Sequence, residues 1–210
     1  VRRSLPAARA ARIALLTLGA AYLLADPSAP AWPQAAAKPP KAQADAAPKQ
    51  KAAPPKVRYG TEGLPRAVLD VREALLAAVE AGDIEELREA FAAGHGLPDV
   101  GAPATADPIA HLKGLSGDGQ GREVLAVLSL LLESGYVALP RGADIENNRL
   151  YVWPYFAEIP LGKLTPRQEV ELLRLVPPAA AREMKEKGRY THWRLAIGAD
   201  GTWHALRKGE

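Results

Sequence analysis

Residues 190–207, YTHWRLAIGADGTWHALR, decide the fold. Gly198, Ala199, Asp200 and Gly201 fit a type I turn closed by a bulge, with Gly201 taking the positive φ that costs glycine little. That turn sets Gly198 opposite Thr202, Ile197 opposite Trp203, Leu195 opposite Ala205 and Trp193 opposite Arg207. One face of the hairpin then carries Trp193, Leu195, Ile197, Trp203 and Ala205. The other carries His192, Arg194, Ala196, His204 and Leu206. Strands of this kind suit a sheet with one side buried. A lone hairpin is marginal in water, so the apolar face needs partners from upstream.

Helices are the available partners. Val68, Val71, Leu75 and Val79 recur at helical spacing over 66–80, after Pro65 and before Gly82. Asp83 then reads as a cap, with Glu86 completing a capping box, and Ile84, Leu87 and Phe91 form the stripe of a second helix. The stretch AVEAGDIEELREAFAAGH resembles one ankyrin repeat unit, and also the opening helices of cone-shaped α+β proteins related to nuclear transport factor 2. The first resemblance implies several stacked repeats, and no second copy is found. The second implies a long curved sheet, and too few strand-like runs follow.

Residues 116–121, SGDGQG, open an apolar helix that begins at Arg122. Such a loop can present backbone N–H groups to an anion, or it can be a turn capped locally by Asp118. It lacks the spacing of a dinucleotide fingerprint and the Gly-Lys-Ser/Thr of a P-loop. The helix over 122–134 is apolar nearly all round, which marks it as central and buried. Residues 136–139 and 150–153 read as strands, the second limited to an edge or an end by Pro154. Thr165, Pro166 and Gln168 open a further helix with a capping box and proline at its first position. Pro177 and Pro178 separate it from a short last helix that Gly188 ends.

The N-terminal part has a different character. Arg2, Arg3, Arg9 and Arg12 precede an apolar run of 13 residues, IALLTLGAAYLLA, and Ala29 and Ala31 are small residues at cleavage-site spacing. Residues 1–31 therefore read as a secretory signal peptide, too short in its apolar run for a spanning helix of roughly 20 residues. Retention of this leader as a membrane anchor is the alternative. Residues 32–56 are a disordered Ala/Pro/Lys linker, with six prolines and five lysines and no Leu, Ile or Val to build a core. Residues 1–56 hold 9 Lys/Arg against 2 Asp/Glu, whereas 57–210 hold 18 against 22. The formal charge of +3 thus belongs to the leader and linker, and a mildly acidic body counts against nucleic acid as a partner.

Chemistry is scarce in this sequence. There is no cysteine, hence no disulfide, thiol nucleophile or Cys-ligated metal. His95 and His111 lack metal-ligand spacing, and His192 and His204 lie about 13 Å apart in the hairpin at 3.3–3.4 Å per residue. No serine sits in a nucleophile elbow. Acidic pairs such as Asp144 with Glu146 or Glu85 with Glu86 read as solvated charges. No catalytic residue, metal site or cofactor is assigned. The aromatic group around Trp153 and Tyr155, with Glu158 beside it, is the most site-like stretch, because such rings stack on sugars or fill grooves.

The segments YVWPYFAEIPLGKLTPRQ and YTHWRLAIGADGTWHALRKGE resemble a group of small exported bacterial proteins of unknown function, over roughly residues 107–210. The resemblance implies export and a single domain, and it supplies no activity. The expectation is thus one α+β domain over 57–210, its helices packed on one face of a small antiparallel sheet that includes the C-terminal hairpin. The expected function is a periplasmic or secreted, non-enzymatic binding module for an envelope protein or wall polymer. Its membrane contact is through the leader alone. The candidate binding residues are Trp153, Tyr155, Glu158, His192, Arg194 and His204. The alternative is a hydrolase of a cell-envelope substrate acting through Glu158.

Overall fold

The computed structural model describes residues 54–103, 106–142 and 148–209. The leader, all but the end of the linker, and the Asp144–Glu146 pair lie outside the described residues. Five strands form one antiparallel meander in chain order: β1 Val57–Arg58, β2 Tyr136–Pro140, β3 Arg149–Trp153, β4 Trp193–Gly198 and β5 Trp203–Lys208. Between β1 and β2 run α1 Arg66–Ala81, α2 Leu87–Ala93, α3 Pro108–Leu115 and α4 Arg122–Glu133. Between β3 and β4 run α5 Pro166–Leu175 and α6 Pro178–Lys187. The α+β class is as the hairpin requires.

The hairpin closes on the expected turn. Gly201 has φ +86°, and its N–H donates to the Gly198 carbonyl at 2.9 Å. Gly198 N–H donates to Thr202 O at 2.8 Å, and Ile197 faces Trp203. The ladder then shifts by one residue: Ala196 faces Ala205 and Leu195 faces Leu206. His204 is the extra residue of a β-bulge, which sends every later side chain of the strand to the other face. The simple alternation therefore misplaces two residues. Leu206 is buried with Trp203, Leu195 and Ile197, and Ala205 lies on the opposite face. The bulge has a holder on the outer side of β5. Asp99 N–H donates to His204 O at 2.9 Å, and Leu206 N–H donates to Asp99 O at 3.0 Å.

Burial on one face only is also corrected. Helices cover both. On the first face, Tyr136, Tyr151, Trp153, Trp193, Leu195, Ile197, Trp203 and Leu206 meet Val68, Val71, Leu75, Leu128 and Leu131 from α1 and α4. On the second, Val137, Val152, Ala196 and Ala205 meet Phe156, Leu161, Leu172, Val176 and Met184. Val137 with Val152, and Ala196 with Ala205, sit directly opposite each other, so the second face is apolar by sequence as well. Local signals place the covering helices. Thr165 and Gln168 exchange both bonds of the capping box at the start of α5. Asp83 accepts from Glu85 N–H at 3.0 Å, capping a short 3-10 turn before α2 instead of the expected box with Glu86.

The packing of the last strand is testable through Leu206, which is fully buried in the first core. Leu206→Ala should cost about 2–5 kcal/mol of unfolding free energy, as deletion of a buried leucine does. Urea unfolding measures it, and a loss under about 1 kcal/mol would be incompatible with the burial of Leu206.

Candidate interaction surface

The residues singled out in the sequence do not share one surface. Trp153 is fully buried on the first face, its ring 5.1 Å from that of Tyr136. Tyr155 is fully buried in a 3-10 turn, Tyr155–Glu158, and stacks on Phe156 at 4.1 Å on the second side. Pro154 ends the strand between them, so the two rings part instead of forming an exposed platform for a sugar. Glu158 and Arg194 are brought within electrostatic reach. Burial holds the Glu158 carboxyl above its usual range, and Arg194 opposes that shift. His192 is held below the usual imidazole range by burial and by Lys208, with Glu123 acting against them. His204 lies elsewhere, with Arg141 Nη1 at 3.2 Å from its Nδ1. Burial and Arg141 lower its pKa, and Asp200 opposes them.

The glycine-rich loop is already occupied by its own side chain. The Asp118 carboxylate accepts from Gln120 N–H and Gly121 N–H at 3.1 Å and from Arg122 N–H at 3.3 Å. Those are the donors that an anion would use. Among the described residues no group of His, Asp and Glu gathers as a metal ion needs.

Polar and apolar groups do converge around α5. Its position follows from its sequence: Leu172 is buried, Val170 points outward at the crest, and Arg167, Glu171 and Arg174 recur three and four apart along one flank. A cleft of about 150 Å³ lies on that flank, between α4 and α5, walled by Tyr59, Leu130, Gly135, Tyr155, Phe156 and Leu175. Another of about 180 Å³ lies on the opposite flank, between α5 and α6, lined by Leu172, Leu173, Pro178, Ala181 and Lys185. A hollow of about 510 Å³ along α1 and α4 is more open to solvent than either cleft.

Glu171 organises the first cleft. It accepts from Tyr155 Oη at 2.7 Å, Tyr59 Oη at 3.0 Å and Arg167 Nε at 3.0 Å. The Arg167 guanidinium also lies over the Tyr59 ring, 5.5 Å from its centre. A side chain at Gly135 could not be accommodated, because its Cβ would stand 2.8 Å from the Tyr155 ring and 2.9 Å from that of Tyr59. Burial works to raise the Glu171 carboxyl, but the bonds from Tyr155, Arg167 and Tyr59 together hold it below its usual range. Burial, then the bond to Glu171, pushes the Tyr155 phenol far up. The carboxylate stays ionised with its acceptors engaged, and the phenol stays neutral. Both shifts move these groups away from proton exchange near neutral pH. Tyr59 escaped the sequence reading because it stands alone between linker and first helix, in no periodic pattern.

Comparison with protein-family models, with curated proteins and with solved structures finds no match to this chain.

The Glu171 cluster makes stability pH-dependent with a definite sign. A carboxyl lowered by folding contributes fully above its unfolded pKa, about 4.3 for Glu, and loses that contribution as pH falls through the folded value. The advantage of the wild type over Glu171→Gln should therefore be constant at pH 6–7 and shrink below about pH 4.3. Thermal unfolding of both proteins across this range checks it; an advantage that grows toward acid would contradict the cluster.

Proposed function

We propose that this protein is an exported, non-enzymatic interaction module of the cell envelope, and that it binds a protein partner through α5 and the clefts beside it. One observation carries the reading. Six large apolar side chains are exposed among the described residues, and four of them gather here: Val170 at 63%, Leu173 at 48%, Tyr59 at 46% and Leu130 at 36%. Clustered exposed apolar side chains rimmed by charge mark interaction sites. The size of the clefts supports the same view. Pockets for small molecules run to roughly 300–1,000 Å³, and clefts of about 150 and 180 Å³ suit single side chains of a macromolecule. A protein is preferred to a wall polymer because Trp153 and Tyr155, the rings that would stack on sugar, are inside.

Export rests on the leader: a basic start, an apolar run and small residues at cleavage spacing. The alternative, a hydrolase acting through Glu158, has less behind it. A glycosidase needs a second carboxylate roughly 5–9.5 Å away, and the charged neighbour acting on Glu158 is Arg194.

Two measurements test the proposal. A photo-crosslinking residue at Val170 should yield a discrete adduct in cells, while the same residue at exposed Leu97 should not. Equal labelling at both positions, or none at Val170, would remove α5 from the reading. Fractionation with N-terminal sequencing should find a chain beginning near Trp32 outside the cytoplasm. A cytosolic chain that keeps Arg2 and Arg3 would remove the envelope.

A further inference from the structure

The charges around α5 specify the partner's chemistry, given the docking surface proposed above. The carboxylates and cations of this surface are not equally presented. Glu171 is turned inward, its side chain 20% exposed, whereas the Arg167 paired with it is 78% exposed. Arg174 meets Glu133 only at 3.5 Å, and both are largely in solvent, where such a pair is worth little. On the other flank, Lys185 bonds Glu169 at 2.5 Å. Arg182 lines the same cleft, is exposed, and has no ion-pair partner among the described residues. Glu169 is the more exposed partner of the Lys185 pair, at 46% against 39%. An approaching surface therefore meets four cations, Arg167, Arg174, Arg182 and Lys185, and three carboxylates, Glu133, Glu169 and Glu171, a rim of net positive charge around two apolar slots.

The spacing of the slots adds a second constraint. They lie on opposite sides of one helix, whose diameter with side chains is about 10–12 Å. Two anchors must be separated by about that distance and must point the same way. In an extended polyproline-type segment, residues three apart meet both conditions, at about 9 Å. We propose that the occupant is an acidic, extended segment of a partner protein, with two apolar side chains three residues apart that straddle α5. One side chain sits against Leu130, Tyr155 and Leu175, the other against Leu172 and Ala181. The acidic residues between and beside them meet Arg174 and Arg182.

The probe is a capped peptide, Asp-Leu-Glu-Pro-Leu-Asp, titrated into the full chain and followed by amide NMR shifts, with Lys-Leu-Lys-Pro-Leu-Lys as its charge-reversed counterpart. The acidic peptide should shift amides of α5, of Tyr59 and of the Arg182 turn, and should bind at least about tenfold more tightly than the basic one. Arg182→Glu should reduce that preference several-fold while leaving urea stability unchanged, since Arg182 is exposed and has no ion-pair partner among the described residues. Equal shifts with both peptides at α5 would overturn the acidic partner and leave the docking surface standing. Shifts confined elsewhere, or none with either peptide, would overturn both.

Discussion

A five-stranded sheet that is apolar on both faces is the constraint from which the rest follows. Neither face can be left to water, so each must recruit its own helices. The long segment between β1 and β2 supplies α1–α4 for one side. The segment between β3 and β4 supplies α5 and α6 for the other. The two cores differ in character. The first is built of Trp, Tyr, Leu and Val side chains that interlock deeply. The second is shallower along β4 and β5, where alanines stand opposite each other. A thinner layer of two short helices suffices there, and its outermost member, α5, is where large apolar side chains remain outside.

That α5 is displayed and not simply loose follows from how it is held. Its N-terminus is locked by the Thr165–Gln168 box, its inner side by Leu172, and its flank by Glu171, which accepts from Tyr59 and Tyr155 in two other parts of the chain and from Arg167 of α5 itself. Tyr59 comes from the segment that leaves the linker, and Tyr155 from the turn that leaves β3. The crest thus sits on a fixed base. Glu158 illustrates the opposite case: burial raises its carboxyl instead of lowering it, and Arg194 opposes the shift.

Much of this architecture is readable from residues alone, and the failures have physical causes. The turn at Gly198–Gly201, the capping box of α5 and the buried stripe of α4 are local matters, and local rules suffice for them. The displacement at His204 is not local: it is fixed by Asp99, more than a hundred positions earlier, bonding the outer side of β5. The covering of the second face was missed because Ala196 and Ala205 do not announce burial as leucines do. Of the site, Tyr155 is legible as an aromatic beside Glu158, but its bond to Glu171 is not. Its ring is a wall and its hydroxyl a support for Glu171. Tyr59, Val170 and Leu173 were overlooked, since an exposed apolar residue is recognised only once the rest of the helix has been placed.

The order of the strands has a consequence for how the chain comes to be folded. β4 and β5 follow α1–α6 in the chain, yet Leu195, Ile197, Trp203 and Leu206 complete the core of the helices that come first. Contacts between distant parts of a chain carry a loop-closure cost before they return any stability. Until the final hairpin is available, α1–α4 have most of one sheet face missing, and α5 and α6 lack the floor formed by Ala196 and Ala205. Closure of either half of the molecule therefore waits on the hairpin over 193–208.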